Sequence, residues 1–158
     1  MQVLIAIDPG KKGGIAVRDA KGRVYADDMP DTLADLWSEI NALNLLPNEI
    51  GSQETMCAYI EDVGYHVAGN NASASATFAR HVGHIEMALT AARISWQSVR
   101  PQKWMKSLGA LPKEKADRKR KIKELMQRRY PFVKVTLQNA DALAMLTWLI
   151  DGKAANAA

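Results

Sequence analysis

The sequence predicts an α/β domain whose mixed sheet begins as an antiparallel three-strand meander and carries helices on its flanks. Three observations lead there. The first thirty residues hold three short apolar runs separated by glycine-containing turns. Beyond them, helical and strand patterns alternate, the order expected when helices cover a partly parallel sheet. The chain has 158 residues, 47% of them hydrophobic, which suits one domain with its own core and argues against disorder.

Taken in order, strands are predicted at Val3–Asp8, Gly14–Arg18 and Arg23–Asp27. Pro30, Asp31 and Thr32 mark a helix entrance with Asp31 as its N-cap, and Leu33, Leu36, Trp37, Ile40 and Leu43 follow at helical spacing. A fourth strand fits Met56–Val63, and the Gly/Asn-rich "GYHVAGNNAS" after it reads as a loop. The long helix Ser73–Arg93 carries Phe78, Val82, Ile85, Leu89 and Ala92 at alternating spacings of four and three, a packing seam. Its second face, with Ala76, Ala79 and Gly83, is small; it meets either a second subunit or more of the same domain. Ile94–Val99 is a fifth strand, and Pro101 opens a short helix to Lys106. A basic helix spans about Lys115 to Arg129, and a final one about Asn139 to Ile150. Residues 1–153 are expected to form a single domain, and 154–158 a short frayed tail. The four tryptophans, Trp37, Trp96, Trp104 and Trp148, read as core fillers.

Charge narrows the function classes. Net charge is +4, yet the stretch from Lys113 to Lys134 alone carries ten basic and three acidic residues, leaving −3 for the rest of the chain. A basic segment on an acidic body suits a local grip on a polyanion, although a charge run also serves as a solvated helix face. No apolar run approaches the roughly 18 residues of a membrane span. The N-terminus shows no signal-peptide pattern, and the single Cys57 excludes an intramolecular disulfide and fits a reducing compartment. The expected location is therefore the cytoplasm.

Three carboxylates interrupt segments that would otherwise be core. Asp8 closes the first strand, Glu61 ends or nearly ends the fourth, and Asp141 lies in the first turn of the last helix within "ADALAML". Singly, Asp8 before Pro-Gly can build a turn and Asp141 can stabilise a helix start. Asp62 faces the other side of its strand and reads as a solvated charge. Together, acids in apolar settings need a partner: a cation, a donor network or a metal. Two Mg²⁺ ions roughly 4 Å apart would meet that need and suit phosphodiester cleavage.

The segments "IAIDPGKKGGIAV", "AYIEDVGYHVAGNNASASATFARHVGHIEMAL", "SVRPQKWMKSLG" and "NADALAMLTWL" resemble, in order and spacing over nearly the full chain, the RuvC-type Holliday-junction resolvases. The resemblance implies a ribonuclease H-like fold, a homodimer, and divalent-metal cleavage of four-way DNA junctions that leaves 5′ phosphates. It implies that Asp8, Glu61 and Asp141 bind two Mg²⁺ ions, with Mn²⁺ able to substitute: Asp8 bridging both, Asp141 on the ion that activates water, Glu61 on the ion at the leaving 3′ oxygen. The family usually places an Asp or His three residues before the last Asp. This chain has Gln138, a neutral candidate ligand that should hold metal more weakly.

Further roles follow from the same resemblance. Lys103, and Lys115 in preference to Lys113, match lysines that face the scissile phosphate. Tyr65 stands one place after the family's junction-wedging aromatic, whose own position here is Gly64. Lys113, Arg118, Lys119 and Lys123 are expected to neutralise DNA phosphates, and the helix near 73–93 to supply the dimer surface. His66 is read as functional or bystander, and His81 and His84 as surface or interface residues. Two other readings remain: a ribonuclease H-like nuclease of broader branched DNA or RNA specificity, and a catalytically weak junction-binding protein. A sugar kinase built on the D-P-G-x-x-G-G turn would need two such domains, more chain than is present.

Overall fold

The computed structural model describes residues 2–44, 56–64 and 71–157. β1 (Leu4–Asp8), β2 (Gly14–Arg18) and β3 (Val24–Asp28) form the expected meander. β4 (Cys57–Glu61) lies parallel to β1, and β5 (Ser95–Val99) parallel to β4, giving the order β3-β2-β1-β4-β5. The predicted mixed α/β sheet is therefore present. Its parallel half is reached through α1 (Leu33–Leu43) and α2 (Ala72–Ala91), its antiparallel half through tight turns.

Central β1 is buried on both faces, and its alternation divides the core. Val3, Ile5 and Ile7 join Leu36, Ile40, Ile85 and Leu89 under α1 and α2. Leu4 and Ala6 join the opposite cluster with Trp104, Ile122 and Leu143. This second layer is built from α3 (Pro101–Met105), α4 (Lys115–Arg129) and α5 (Ala140–Ala157). The seam on α2 buries Val82, Ile85, Leu89 and Ala92 as its spacing predicts but leaves Phe78 half-buried; of the small face, Ala76 and Gly83 are exposed and Ala79 is half-buried.

Several boundaries differ from the sequence reading. Thr32, not Asp31, caps α1, because its hydroxyl accepts from the Asp35 backbone N–H and in turn donates to the Asp35 carboxylate. α5 continues past Ile150 through the alanine-rich end to Ala157, in keeping with alanine's high helix propensity. Trp37 and Trp96 are not core fillers. Each sits on the outer side of its element, 41% and 36% exposed.

Candidate active site

The strand ladder places two of the three acids side by side. β1 and β4 pair in parallel through Ala6–Tyr59 and Ile7–Ile60, so the next step along both strands sets Asp8 beside Glu61. Alternation sends both side chains to the face covered by α5. Both are buried at the strand ends, where Pro9 and Gly10 turn β1 out of the sheet.

The third acid comes from α5, whose start is pinned by Asn139. This buried amide donates from Nδ2 to the carbonyls of Ala26 (3.3 Å) and Lys134 (3.1 Å), and its Oδ1 accepts from the Thr136 backbone N–H (2.9 Å). Thr136 also bonds Asp28 on β3. Across the sheet, Gly14 lets the helix start press close: a Cβ there would lie 2.6 Å from the Asn139 Cα. Gly13 is equally constrained, since a Cβ would fall 1.9 Å from the Asp8 carbonyl oxygen. Asp141 thereby reaches the wall of one cleft of about 600 Å³ that Asp8 and Glu61 also line.

The electrostatics are those of crowded, desolvated acids. Burial, then the nearby Glu61 and Asp141, hold the Asp8 carboxyl well above its ordinary value. Glu61 is raised by burial and by Asp141, against the pull of its hydrogen bonds from Trp104 and Asp8. Asp141 is raised by burial, opposed by Lys119, Arg118 and Lys115. Lys119 Nζ stands 3.4 Å from Asp141 Oδ2, while the enclosed Oδ1 has no hydrogen-bond partner. Hard carboxylate oxygens, one of them orphaned, suit a divalent cation. Among the described residues no three acidic, His or Cys side chains already stand at metal-holding geometry; the ammonium of Lys119 sits against Asp141 instead.

The remaining predicted residues separate. Lys115, Arg118 and Lys119 line the cleft from α4. Lys113, exposed before the helix, does not, but its carbonyl accepts from Arg118. Lys123 is half-buried and lies off the cleft wall, one turn beyond Lys119. Lys103 is exposed and outside the wall, because α3 turns Pro101, Gln102 and Met105 toward the cleft. Gln138 is also outside it: it sits in the turn before α5, its backbone N–H on Thr136. Tyr65 and His66 lie outside the described residues. His81 and His84 are half-buried on α2, where no metal group forms among the described residues.

Two cleft-lining side chains, and one buried residue bonded to Glu61, escaped the sequence reading as parts of the site. Lys12 enters from the D-P-G-K-K-G-G turn, and Phe78 packs over Gly10, 3.4 Å from where a Cβ there would stand. Trp104, fully buried, donates its indole N–H to Glu61 Oε1 at 2.9 Å. The usable signal for Lys12 was its place in the turn that Asp8 opens. An isolated tryptophan offers no such signal.

No family model matches the chain, and no curated protein matches it in sequence. Solved structures do match in fold. The chain is similar to the Thermus thermophilus RuvC structure, with 16% identity, 90% of each chain covered and a TM-score of 0.52. It is likewise similar to T. thermophilus RuvC in complex with Holliday junction substrate, with 16% identity, 91% of this chain and 89% of that one covered, and a TM-score of 0.53. The fold is thus the ribonuclease H-like fold of RuvC, as the sequence resemblance implies. No helix among the described residues is long and apolar enough to cross a membrane.

Proposed function

We propose that this chain is a divalent-metal-dependent endonuclease that resolves four-way DNA junctions, acting as a symmetric dimer. The observation that carries this reading is the meeting of Asp8, Glu61 and Asp141 in one cleft whose opposite wall is basic α4. Bound Mg²⁺ or Mn²⁺ ions would supply water activation and stabilisation of the leaving 3′ oxygen. Asp8, Glu61 and Asp141 are the residues that would hold them. Lys119 partly neutralises the cluster in the metal-free protein and would yield Asp141 to a cation of higher charge. Lys115, Arg118 and Lys12 hold the DNA backbone across the cleft mouth. The exposed small-residue face of α2 is the surface through which two copies pair, so that two equivalent strands are nicked.

The ion pair between Lys119 and Asp141 favours a second reading, a junction-binding protein without catalysis. One assay separates the two. Purified protein is expected to nick a synthetic four-way junction in Mg²⁺ or Mn²⁺, leaving 5′ phosphates, and to lose nicking in EDTA and on Glu61→Gln. Binding without nicking in any divalent ion would leave the second reading standing. A flap and an RNA–DNA hybrid cut as fast as the junction would point to a broader branched-substrate nuclease.

A further inference from the structure

Glu61 is held unlike the other two acids. Trp104 lies in α3 just after Pro101, its ring fully enclosed in the core cluster with Ile122, Leu143 and Met145. The indole nitrogen is a donor only and has no second role to play. It spends that donor on Glu61 Oε1 at 2.9 Å. A ring so enclosed cannot swing away without opening the core, so the bond anchors Oε1 at a fixed point. Oε1 is thus the oxygen tied to the core. The carboxyl also meets Asp8, its neighbouring acid; a cation between the two acids would replace that contact, whereas the indole bond would be kept.

That asymmetry bears on which ion the cleft accepts. Calcium takes six to eight oxygens and commonly uses both oxygens of a carboxylate, whereas magnesium and manganese suit six-coordinate sites with single-oxygen carboxylates. We propose that Trp104 is a positioning residue that makes Glu61 a one-oxygen ligand, and so biases the cleft toward small six-coordinate divalent ions over calcium. The inference rests on the metal-site reading above and adds to it the residue that sets ion preference.

The test is calorimetric titration of the full chain, without DNA, by Mn²⁺ and separately by Ca²⁺. Wild type, Trp104→Phe, Glu61→Gln and the double variant are compared. Phenylalanine keeps most of the ring packing and removes the donor. Trp104→Phe is expected to narrow the preference for Mn²⁺ over Ca²⁺ by about tenfold, the scale on which hydrogen-bond partners of metal ligands act. The same change on the Glu61→Gln background is expected to leave the preference unmoved. A preference unaltered by Trp104→Phe overturns the inference and leaves the metal site standing. Wild type that binds neither ion overturns both.

A second measurement needs no variant of Trp104. The Trp104 indole N–H resonance, identified by its shift in Glu61→Gln, is expected to stay at its hydrogen-bonded position in Mg²⁺-saturated wild type. Its return to the position of a free indole on Mg²⁺ addition would show that the indole lets go, and would overturn the inference.

Discussion

Two turns at opposite ends of β2 each begin with a buried aspartate, and they treat it in opposite ways. In the Asp19–Arg23 turn the carboxylate is surrounded by donors. Its Oδ1 accepts from the backbone N–H groups of Lys21 (2.9 Å) and Arg23 (2.8 Å), and its Oδ2 from Arg23 Nε (2.7 Å) and the Tyr25 hydroxyl (3.2 Å). Burial pushes Asp19 up, yet the Arg23 backbone and side-chain bonds and charge outweigh it, and the carboxyl lies below its usual range. In the Asp8–Gly14 turn the neighbours are two more acids, and the carboxyl is driven the other way. The same residue type, in the same kind of glycine turn, is structural where donors saturate it and available for chemistry where they do not.

The largest effect expected from this contrast is at Asp8. Asp8→Asn should reduce junction cleavage by more than about a hundredfold, beyond the loss typical of residues that only support a metal ligand. It should also make the metal-free protein more heat-stable at pH 8. The sign follows from linkage: Asp8, Glu61 and Asp141 all have raised values, so the native state holds more protons than the unfolded chain above the ordinary values of 3.8 and 4.5. Stability of the metal-free protein therefore falls as pH rises through that window toward the raised native values, and added Mg²⁺ should restore most at its upper end. Scanning calorimetry across pH, with and without Mg²⁺, reads both. A less stable Asp8→Asn would mean that Asp8 is held by donors after all.

Asp19→Ala is expected to do the reverse. It strands two backbone donors and should cost about 1–3 kcal/mol of stability in denaturant titration, with the cleavage rate of the folded fraction unchanged. A smaller effect is expected at Glu39, a half-buried acid pushed up to about 7 by burial and by Asp27. Its destabilisation appears as pH rises from 4.5 to about 7, so Glu39→Gln should raise the melting temperature at pH 8 and leave it unchanged at pH 4.

Much of this was legible in the sequence because it rests on local period. Alternation in β1 and the seven-residue seam of α2 assign faces without reference to the rest of the chain, and three acids inside apolar runs mark themselves as anomalies. What was not legible depends on contacts between distant residues. Thr32 and Asp31 are equally good caps until the chain direction into α1 is known. Trp104 and Trp37 are both apolar residues at helical spacing, yet one is fully buried against a residue 43 positions away and the other faces solvent. Lys119 differs from its neighbours on α4 only in the side of the helix it occupies. Gln138 and Asn139 are adjacent amides, and only the structure shows Asn139 turned inward to hold β3.

The close approach at Gly14 acts as a ruler. The gap between the first hairpin and the terminal helix, and with it the separation of the first and last acids, is set by a missing methyl group. A side chain there would press on the helix entrance on one side and on the Asp27 carbonyl of β3 on the other. The same absent side chain thus spaces two acids that lie more than a hundred residues apart in the chain.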